Sequence, residues 1–187
     1  TNIVGVVAAC ENMISGQAYK SGDVIDSMKG LTIEVANTDA EGRITLADAV
    51  HYATNDLGAE KIIDLATLTG AVTIALGEVY TGAVTNDEDF YNEVLEAGKL
   101  AGEKMWAFPY DEDYKKLNKS GVADIKNTSG RQAGSVTAGL FVGEFVKENT
   151  PWVHLDIAAT AYRDKKSGYL PKNATGIHVK TLNNLLD

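Results

Sequence analysis

Strand-like apolar runs alternate with helix-like stripes along this sequence, and this order limits the possible folds more than any other feature. Residues 3–9 form a continuous apolar run, as in a strand covered on both faces, and strand-like runs recur at 31–36, 61–66 and 152–158. Residues 44–57 instead carry apolar side chains at a helical spacing. Strands that alternate with helices predict an α/β fold, with a mostly parallel or mixed sheet and helices on both faces.

The other predicted elements continue this alternation. Ser135 is expected to cap the helix that follows it. A length of 187 residues fits one domain, so we expect 1–187 to fold as a single unit. Extended segments are predicted at 19–25, 79–85 and 123–127, and helices at 87–104, 111–118, 136–148 and 176–186.

Composition argues against several classes of function. The formal net charge of −9 is unfavourable for a nucleic-acid surface, which requires a basic patch. The apolar run 3–10 is too short to span a membrane and has no basic residues before it, so we expect neither a membrane segment nor a signal peptide there. Cys10 is the one cysteine of the sequence, which excludes an internal disulfide, and its apolar neighbours predict a buried thiol.

An acidic segment, Asn37–Arg43, directly follows the strand-like run 31–36. Asp39, Glu41 and Arg43 stand at alternate positions, so an extended loop would point all three side chains to the same side. Two carboxylates and a guanidinium that converge at the carboxyl end of a strand are what an oxygen-ligand metal site would look like. The alternative is that Asp39 simply begins the next helix and Arg43 neutralises it.

Two further loops follow predicted strands and are expected to share this edge. Ligands of open α/β sheets bind beyond the carboxyl ends of the strands. If the strands are parallel neighbours, Thr67, Leu68, Gly70 and Ala159 meet the acidic segment, where these residues would form a side-chain pocket. An ordinary turn at 67–70 fits the spacing equally well.

Other polar features give weaker signals. His154 and Asp156 alternate on one predicted strand, which favours a buried hydrogen-bonded pair over a pair of metal ligands. The loop Ser129–Ser135 precedes a helix and is a candidate for anion binding at the helix start. It lacks the lysine of a P-loop, and the sequence has no Gly-x-Ser-x-Gly motif of a serine hydrolase.

The string NTDAEGR at 37–43 is also the signature of the leucyl (cytosol) aminopeptidases, peptidase family M17, which are two-metal exopeptidases. The sequence resembles this family further in DLATLTGA at 64–71, SGRQAGS at 129–135 and HLDIA at 154–158. The resemblance covers essentially all 187 residues. It implies a zinc-exopeptidase-like three-layer sandwich, incomplete at its N-terminal side.

The resemblance also implies roles for individual residues. Asp39 and Glu41 match metal-binding carboxylates, with Glu41 bridging two divalent ions (zinc, or manganese, magnesium or cobalt). Arg43 matches the arginine that holds a bicarbonate, which acts as the base toward the nucleophilic water. The remaining matches concern substrate binding: Thr67, Leu68 and Gly70 at the end of a strand, and Ala159 at the floor of the pocket.

For the whole protein, the resemblance implies a cytoplasmic homohexamer that removes leucine-type residues from peptides with a free N-terminus. The family's remaining metal ligands belong to two upstream segments, and neither is present in this sequence. We therefore expect the chain to be the C-terminal part of an aminopeptidase catalytic domain, with Thr1 as a boundary inside a larger protein, and to be inactive alone. The alternative is a non-catalytic assembly or interaction module that keeps the fold without metal chemistry.

Overall fold

Strands and helices alternate through residues 2–186, the part of the chain that this computed structural model describes. The strands are β1 (Val24–Asp26), β2 (Thr32–Glu34), β3 (Ile62–Ala66), β4 (Thr81–Thr85), β5 (Met105–Ala107), β6 (Ile125–Lys126), β7 (Trp152–Asp156), β8 (Tyr162–Arg163) and β9 (Asn173–Ala174). The helices are α1 (Glu41–Asn55), α2 (Gly70–Leu76), α3 (Glu88–Ala101), α4 (Glu112–Lys116), α5 (Gly134–Gly143) and α6 (Val179–Leu186). The predicted α/β class is confirmed.

A mixed four-stranded sheet with the order β3-β7-β4-β5 lies at the centre. β3 and β7 are parallel, whereas β4 runs antiparallel to β7 and parallel to β5. The carboxyl ends of β3 and β7 therefore lie beside the start of β4. A second sheet pairs β2 with β1 on one side and with β6, in parallel, on the other.

Alternating side chains of the central sheet build a separate core on each face. Ile62, Val84 and Trp152 pack against α1 and α5. Ile63, Ala83 and Val153 face the opposite side and pack against α3 and α6. Helices thus cover both faces, which gives the three layers that the sequence predicts. None of the described helices is long and apolar enough to cross a membrane.

The predicted strand at 3–9 is wrong. Residues 2–15 have no regular secondary structure, and Val7 is 89% exposed. A strand needs a neighbour to satisfy its backbone N–H and C=O groups, and no strand of residues 2–186 pairs with this run. Cys10 is exposed as well, so the expectation of a buried thiol is also wrong.

Two helix boundaries also differ from the prediction. α3 ends before Gly102, which adopts the left-handed backbone conformation, and this frees 105–107 to form the unpredicted strand β5. α5 begins at Gly134, so Ser135 lies inside its first turn and is not the cap. It ends at Gly143, after which the backbone tightens, since Phe145 and Val146 donate to carbonyls three residues back.

Candidate functional site at the carboxyl ends of β3 and β7

One carboxylate joins the two loops that leave the parallel strands β3 and β7. Asp156 ends β7, and its Oδ1 accepts hydrogen bonds from the backbone N–H groups of Leu68 (3.1 Å), Thr69 (3.4 Å) and Ala158 (3.2 Å). Its Oδ2 accepts from the Thr69 hydroxyl at 2.6 Å. The loop at 67–70 and the loop at 157–161 are therefore held side by side by a single buried side chain.

The structure brings the predicted pocket residues to this edge at different depths. Thr67 and Gly70 are exposed, Leu68 is half-buried, and Ala159 is 3% exposed. The loop 67–70 is held by hydrogen bonds, because Thr69 caps α2 by accepting from the Val72 N–H at 3.2 Å. The buried hydroxyls of Thr69 and Ser135, 3.1 Å apart, connect the loop to the first turn of α5.

Residues 38–43 are helical, so the condition of an extended loop, under which the three side chains would share one side, is not met. Asn37 accepts from the Asp39 N–H at 3.0 Å and caps a short 3-10 helix, Thr38–Ala40, that continues into α1. At about 3.6 residues per turn, alternate positions point in different directions. Asp39 is accordingly exposed and Glu41 half-buried, whereas Arg43 is only 8% exposed. The helix-start alternative holds in part, with Asn37 as the cap in place of Asp39.

Asn127 anchors this segment and was not identified from the sequence. The buried Asn127 side chain accepts from the N–H groups of Ala36 (2.9 Å) and Asn37 (3.2 Å) and donates to the carbonyls of Asn37 (2.7 Å) and Ala40 (3.3 Å). β2 and β6 are parallel, so Asn37 and Asn127 follow their strands at the same edge. Asn127 could have been found from the sequence by the rule that sites lie beyond the carboxyl ends of strands, since it is the last residue of a predicted one.

Arg43 ends the acidic segment and is close enough to Asp156 to feel the charge of that carboxylate. Its Nη1 donates to the Asn127 carbonyl at 2.7 Å, while its buried Nε has no hydrogen-bond partner among the described residues. Burial lowers the pKa of the Arg43 guanidinium to about 10, and the negative charge of Asp156 acts in the opposite direction. Arg43 therefore stays charged near neutral pH and keeps an unused donor.

The carboxylates of Asp39 and Glu41 form no hydrogen bond or ion pair with any residue from 2 to 186. Both are therefore available as oxygen ligands for a hard cation. The described part of the chain contains no group of three or more His, Cys, Asp or Glu side chains arranged to hold a metal ion. Two carboxylates alone leave the coordination of two dications incomplete.

His154 and Asp156 are both buried, but they do not pair with each other, so this prediction is wrong. His154 Nδ1 lies 2.5 Å from Asp64 Oδ1, because Asp64 is its register partner on β3. Asp64 Oδ2 accepts from Trp152 Nε1 at 2.6 Å. Burial opposes a charge on His154, but the Asp64 carboxylate outweighs it, so the pKa of His154 is raised.

The loop 129–135 shows no built anion site. α5 begins after Ala133, whose φ of 50° is left-handed, and no side chain of residues 2–186 caps this helix. Arg131 is exposed, and the Ser129 hydroxyl is covered without a hydrogen-bond partner. A groove of about 580 Å³ lies along β5, and none of the predicted site residues lines it.

These features define an α/β protein with a polar site beyond the carboxyl ends of parallel strands. Comparison with known proteins then assigns the family. Residues 1–183 match the description "Cytosol aminopeptidase family, catalytic domain", so the chain belongs to the cytosol aminopeptidase family.

Relatives and solved structures agree with this assignment. The chain is 62% identical to a probable cytosol aminopeptidase of Treponema denticola and 60% identical to one of Clostridium tetani, each over 97% of this chain. It spans only 38% and 37% of the length of these two relatives. A mutant of tomato leucine aminopeptidase has 50% identity over 95% of this chain and 34% of its own, with a TM-score of 0.89. The bottromycin maturation enzyme BotP, in complex with Mn, has 38% identity over 91% of this chain and 38% of its own, with a TM-score of 0.85.

Proposed function

We propose that the chain is the C-terminal part of the catalytic domain of a metal-dependent aminopeptidase, which removes residues from peptides with a free N-terminus. The observation that carries the proposal is the arrangement of the segment 37–43. Within residues 2–186 it presents two carboxylates without a hydrogen bond or ion pair, next to a buried arginine with an unused donor. The names of the relatives and the Mn complex of BotP support the same chemistry.

Asp39 and Glu41 are the residues of this chain that would hold the metals, with Glu41 as the bridging ligand. Oxygen ligands of this kind accept zinc, manganese, magnesium or cobalt with little discrimination. A pair of such ions, when bound, lowers the pKa of a water and polarises the peptide carbonyl. The backbone before and at the start of α1, which carries both carboxylates, is held by hydrogen bonds from the Asn37 and Asn127 side chains.

Arg43 would hold a small anion, a bicarbonate, that serves as the base. Its planar guanidinium binds carboxylate-like anions through two parallel donors. The unpaired Nε supports this role, because a buried donor without a partner costs free energy that an anion would recover. Arg43 contributes a fixed positive charge and orientation, since Asn127 holds its Nη1.

Substrate binding is assigned to the loops that Asp156 joins. Thr67, Leu68 and Gly70 would contact the peptide, and Ala159 would form the floor of a pocket that favours leucine-type side chains. The position of all four at the edge shared with Arg43 and Asp156 supports this assignment. We further propose that the complete protein is a cytoplasmic homohexamer, as the family resemblance implies.

We propose that the chain on its own is inactive. Asp39 and Glu41 provide fewer ligands than two dications require, and residues 2–186 offer no third acidic, histidine or cysteine ligand beside them. The alternative, a non-catalytic assembly module, is favoured by the same observation. The two functions differ in the activity that they predict for a full-length protein that contains this chain: an aminopeptidase would turn over peptides, and an assembly module would not.

The test is hydrolysis of leucine p-nitroanilide with added zinc or manganese, by this chain and by a protein extended upstream to the length of the relatives. The proposal predicts turnover by the extended protein only. Glu41→Gln in the extended protein should reduce kcat by a factor of about 1,000 or more, because a bridging ligand is lost. Glu60→Gln, at an exposed acid elsewhere, is the matched control and should leave kcat unchanged. An extended protein without activity or metal uptake would support the assembly module instead.

A further inference from the structure

A fully buried polar network lies on the opposite face of the sheet from Arg43, directly behind the loop that carries Ala159. At its centre is the Thr81 hydroxyl, which lies 2.7 Å from His178 Nε2 and 2.8 Å from the Thr160 hydroxyl. Thr81 and His178 are 0% exposed, and Thr160 is 2% exposed. One side chain at the start of β4 thus joins His178, the residue before α6, to the loop 157–161.

The network continues into α6 and ends on a buried acid. His178 Nδ1 lies 3.1 Å from the Thr181 hydroxyl. Glu103 accepts from that hydroxyl at 2.6 Å and from the Thr181 N–H at 3.0 Å, so it caps α6 from outside the helix. Thr175 donates to the Thr160 carbonyl at 2.7 Å and fixes the loop from its other side. We refer to these side chains together as the threonine–histidine network: Thr81, Glu103, Thr160, Thr175, His178 and Thr181.

The threonine–histidine network lies next to the proposed pocket. β4 runs antiparallel to β7, and Gly82 is the register partner of Asp156, so Thr81 lies at the site end of the sheet. Thr160 immediately follows Ala159, which is buried and makes up the proposed pocket floor. The loop itself is a tight turn, in which the N–H groups of Thr160 and Ala161 both donate to the Ile157 carbonyl.

The polar composition of the network also needs an explanation. Apolar side chains of the same volume would fill such a site at little or no cost in stability, whereas a hydrogen-bonded network fixes one geometry. His178 even adopts a left-handed backbone conformation, with φ of 65°, which is uncommon for a residue with a side chain. This placement aims the imidazole between Thr81 and Thr181.

We propose that the threonine–histidine network positions the loop 157–161 and thereby determines which side chains the pocket floor at Ala159 accepts. Thr81, Thr160 and His178 are positioning residues in this scheme and do not touch the substrate. The statement about selectivity rests on the proposed aminopeptidase function, whereas the statement about the loop does not.

The test compares two isosteric changes on the same strand. Thr81→Val removes the hydroxyl that joins His178 to Thr160. Thr85→Val is the matched control, because Thr85 is also buried on β4 and also donates through a short bond, 2.7 Å to the Trp152 carbonyl, but at the other end of the strand. Thr81→Ser restores the hydroxyl and should restore wild-type behaviour.

The first readout is amide hydrogen exchange at residues 157–163 in the full-length protein. Thr81→Val should accelerate exchange there about 10-fold, since the variant loses the buried hydrogen bonds that hold this loop. Thr85→Val should leave exchange in this loop unchanged. Equal exchange in both variants would overturn the proposal, whatever the activity of the protein.

The second readout is the ratio of kcat/KM for leucine p-nitroanilide to that for phenylalanine p-nitroanilide. Thr81→Val should change this ratio about 5-fold, mainly through KM, while Thr85→Val keeps it. An unchanged ratio together with faster loop exchange would reduce the network to a purely structural element and overturn the selectivity claim. A wild-type protein without peptidase activity would instead refute the proposed function, and the exchange result would still decide the positioning of the loop.

Discussion

At the scale of single residues, the site depends on two buried side chains that bind no ligand in the proposed scheme. Asn127 holds the acidic segment through three hydrogen bonds to its backbone and a fourth to Ala36 just before it, and Asp156 holds the two neighbouring loops through four more. Each of them fixes several backbone groups at once. Removal of either side chain would therefore leave several buried groups unpaired, which costs more than the loss of a single surface contact.

Replacement of Asn127 by Ala should lower the free energy of unfolding by about 2 to 4 kcal/mol, because buried N–H and C=O groups lose their partners. Urea unfolding followed by circular dichroism measures this change. Asn92→Ala, at an exposed position on α3, is the control and should be within about 0.5 kcal/mol of the wild type. Equal midpoints for the two variants would show that Asn127 does not anchor the segment.

Candidate site residues could be selected from the sequence, whereas the side chains that hydrogen-bond to such residues in the folded protein could not. Asp39, Glu41 and Arg43 could be selected as candidates because they are close together in the sequence and directly follow a predicted strand. The pairing of His154 with Asp64 depends on the register of β3 against β7, which no local pattern encodes. Asn127 required the parallel pairing of β2 with β6.

At the scale of elements, the periodicity of apolar residues predicted most of the helices and strands, and it failed where tertiary contacts decide. The run 3–9 has the composition of a strand but lacks a pairing partner in residues 2–186. The alternating charges of the acidic segment would share one side only in an extended loop, yet the cap at Asn37 starts a helix there.

The close packing of α5 on β4 gives a prediction at this scale. A Cβ on Gly139 would lie 2.6 Å from Val84 Cγ2, so Gly139→Ala should displace α5 and lower the free energy of unfolding by about 1 to 3 kcal/mol. Gly42→Ala, in α1 with no atom within 4 Å of the new Cβ, should be neutral or stabilising by up to about 1 kcal/mol. Thermal unfolding of both variants tests the contact, and a Gly139→Ala protein as stable as Gly42→Ala would contradict it.

At the scale of the whole molecule, two buried histidines give stability opposite dependences on pH. Burial lowers the pKa of His178 from 6.5 to about 4, against the opposing charge of Glu103, so the folded protein keeps this imidazole neutral. The unfolded chain then binds a proton that the folded chain does not, and stability falls as the pH falls from 6.5 toward 4. The raised pKa of His154 acts in reverse, because its contribution is present below pH 6.5 and is lost as the pH rises through the folded value.

The variant His178→Asn should isolate the first of these effects, since Asn tolerates the left-handed backbone conformation and does not titrate. Between pH 6.5 and 4, the wild type should lose up to about 3 kcal/mol more stability than the variant, because one pKa unit corresponds to about 1.4 kcal/mol. Urea unfolding across this range gives both curves. Parallel curves would exclude His178 as the source of the pH dependence.

The central claim is that Asp39 and Glu41 are metal ligands of a two-metal aminopeptidase. Metal content per chain, measured by mass spectrometry after dialysis of the full-length protein against zinc or manganese, tests it most directly. We expect two ions per chain in the wild type and at most one in the double variant Asp39→Asn, Glu41→Gln, with the folded structure retained. Two ions per chain in both proteins would contradict it.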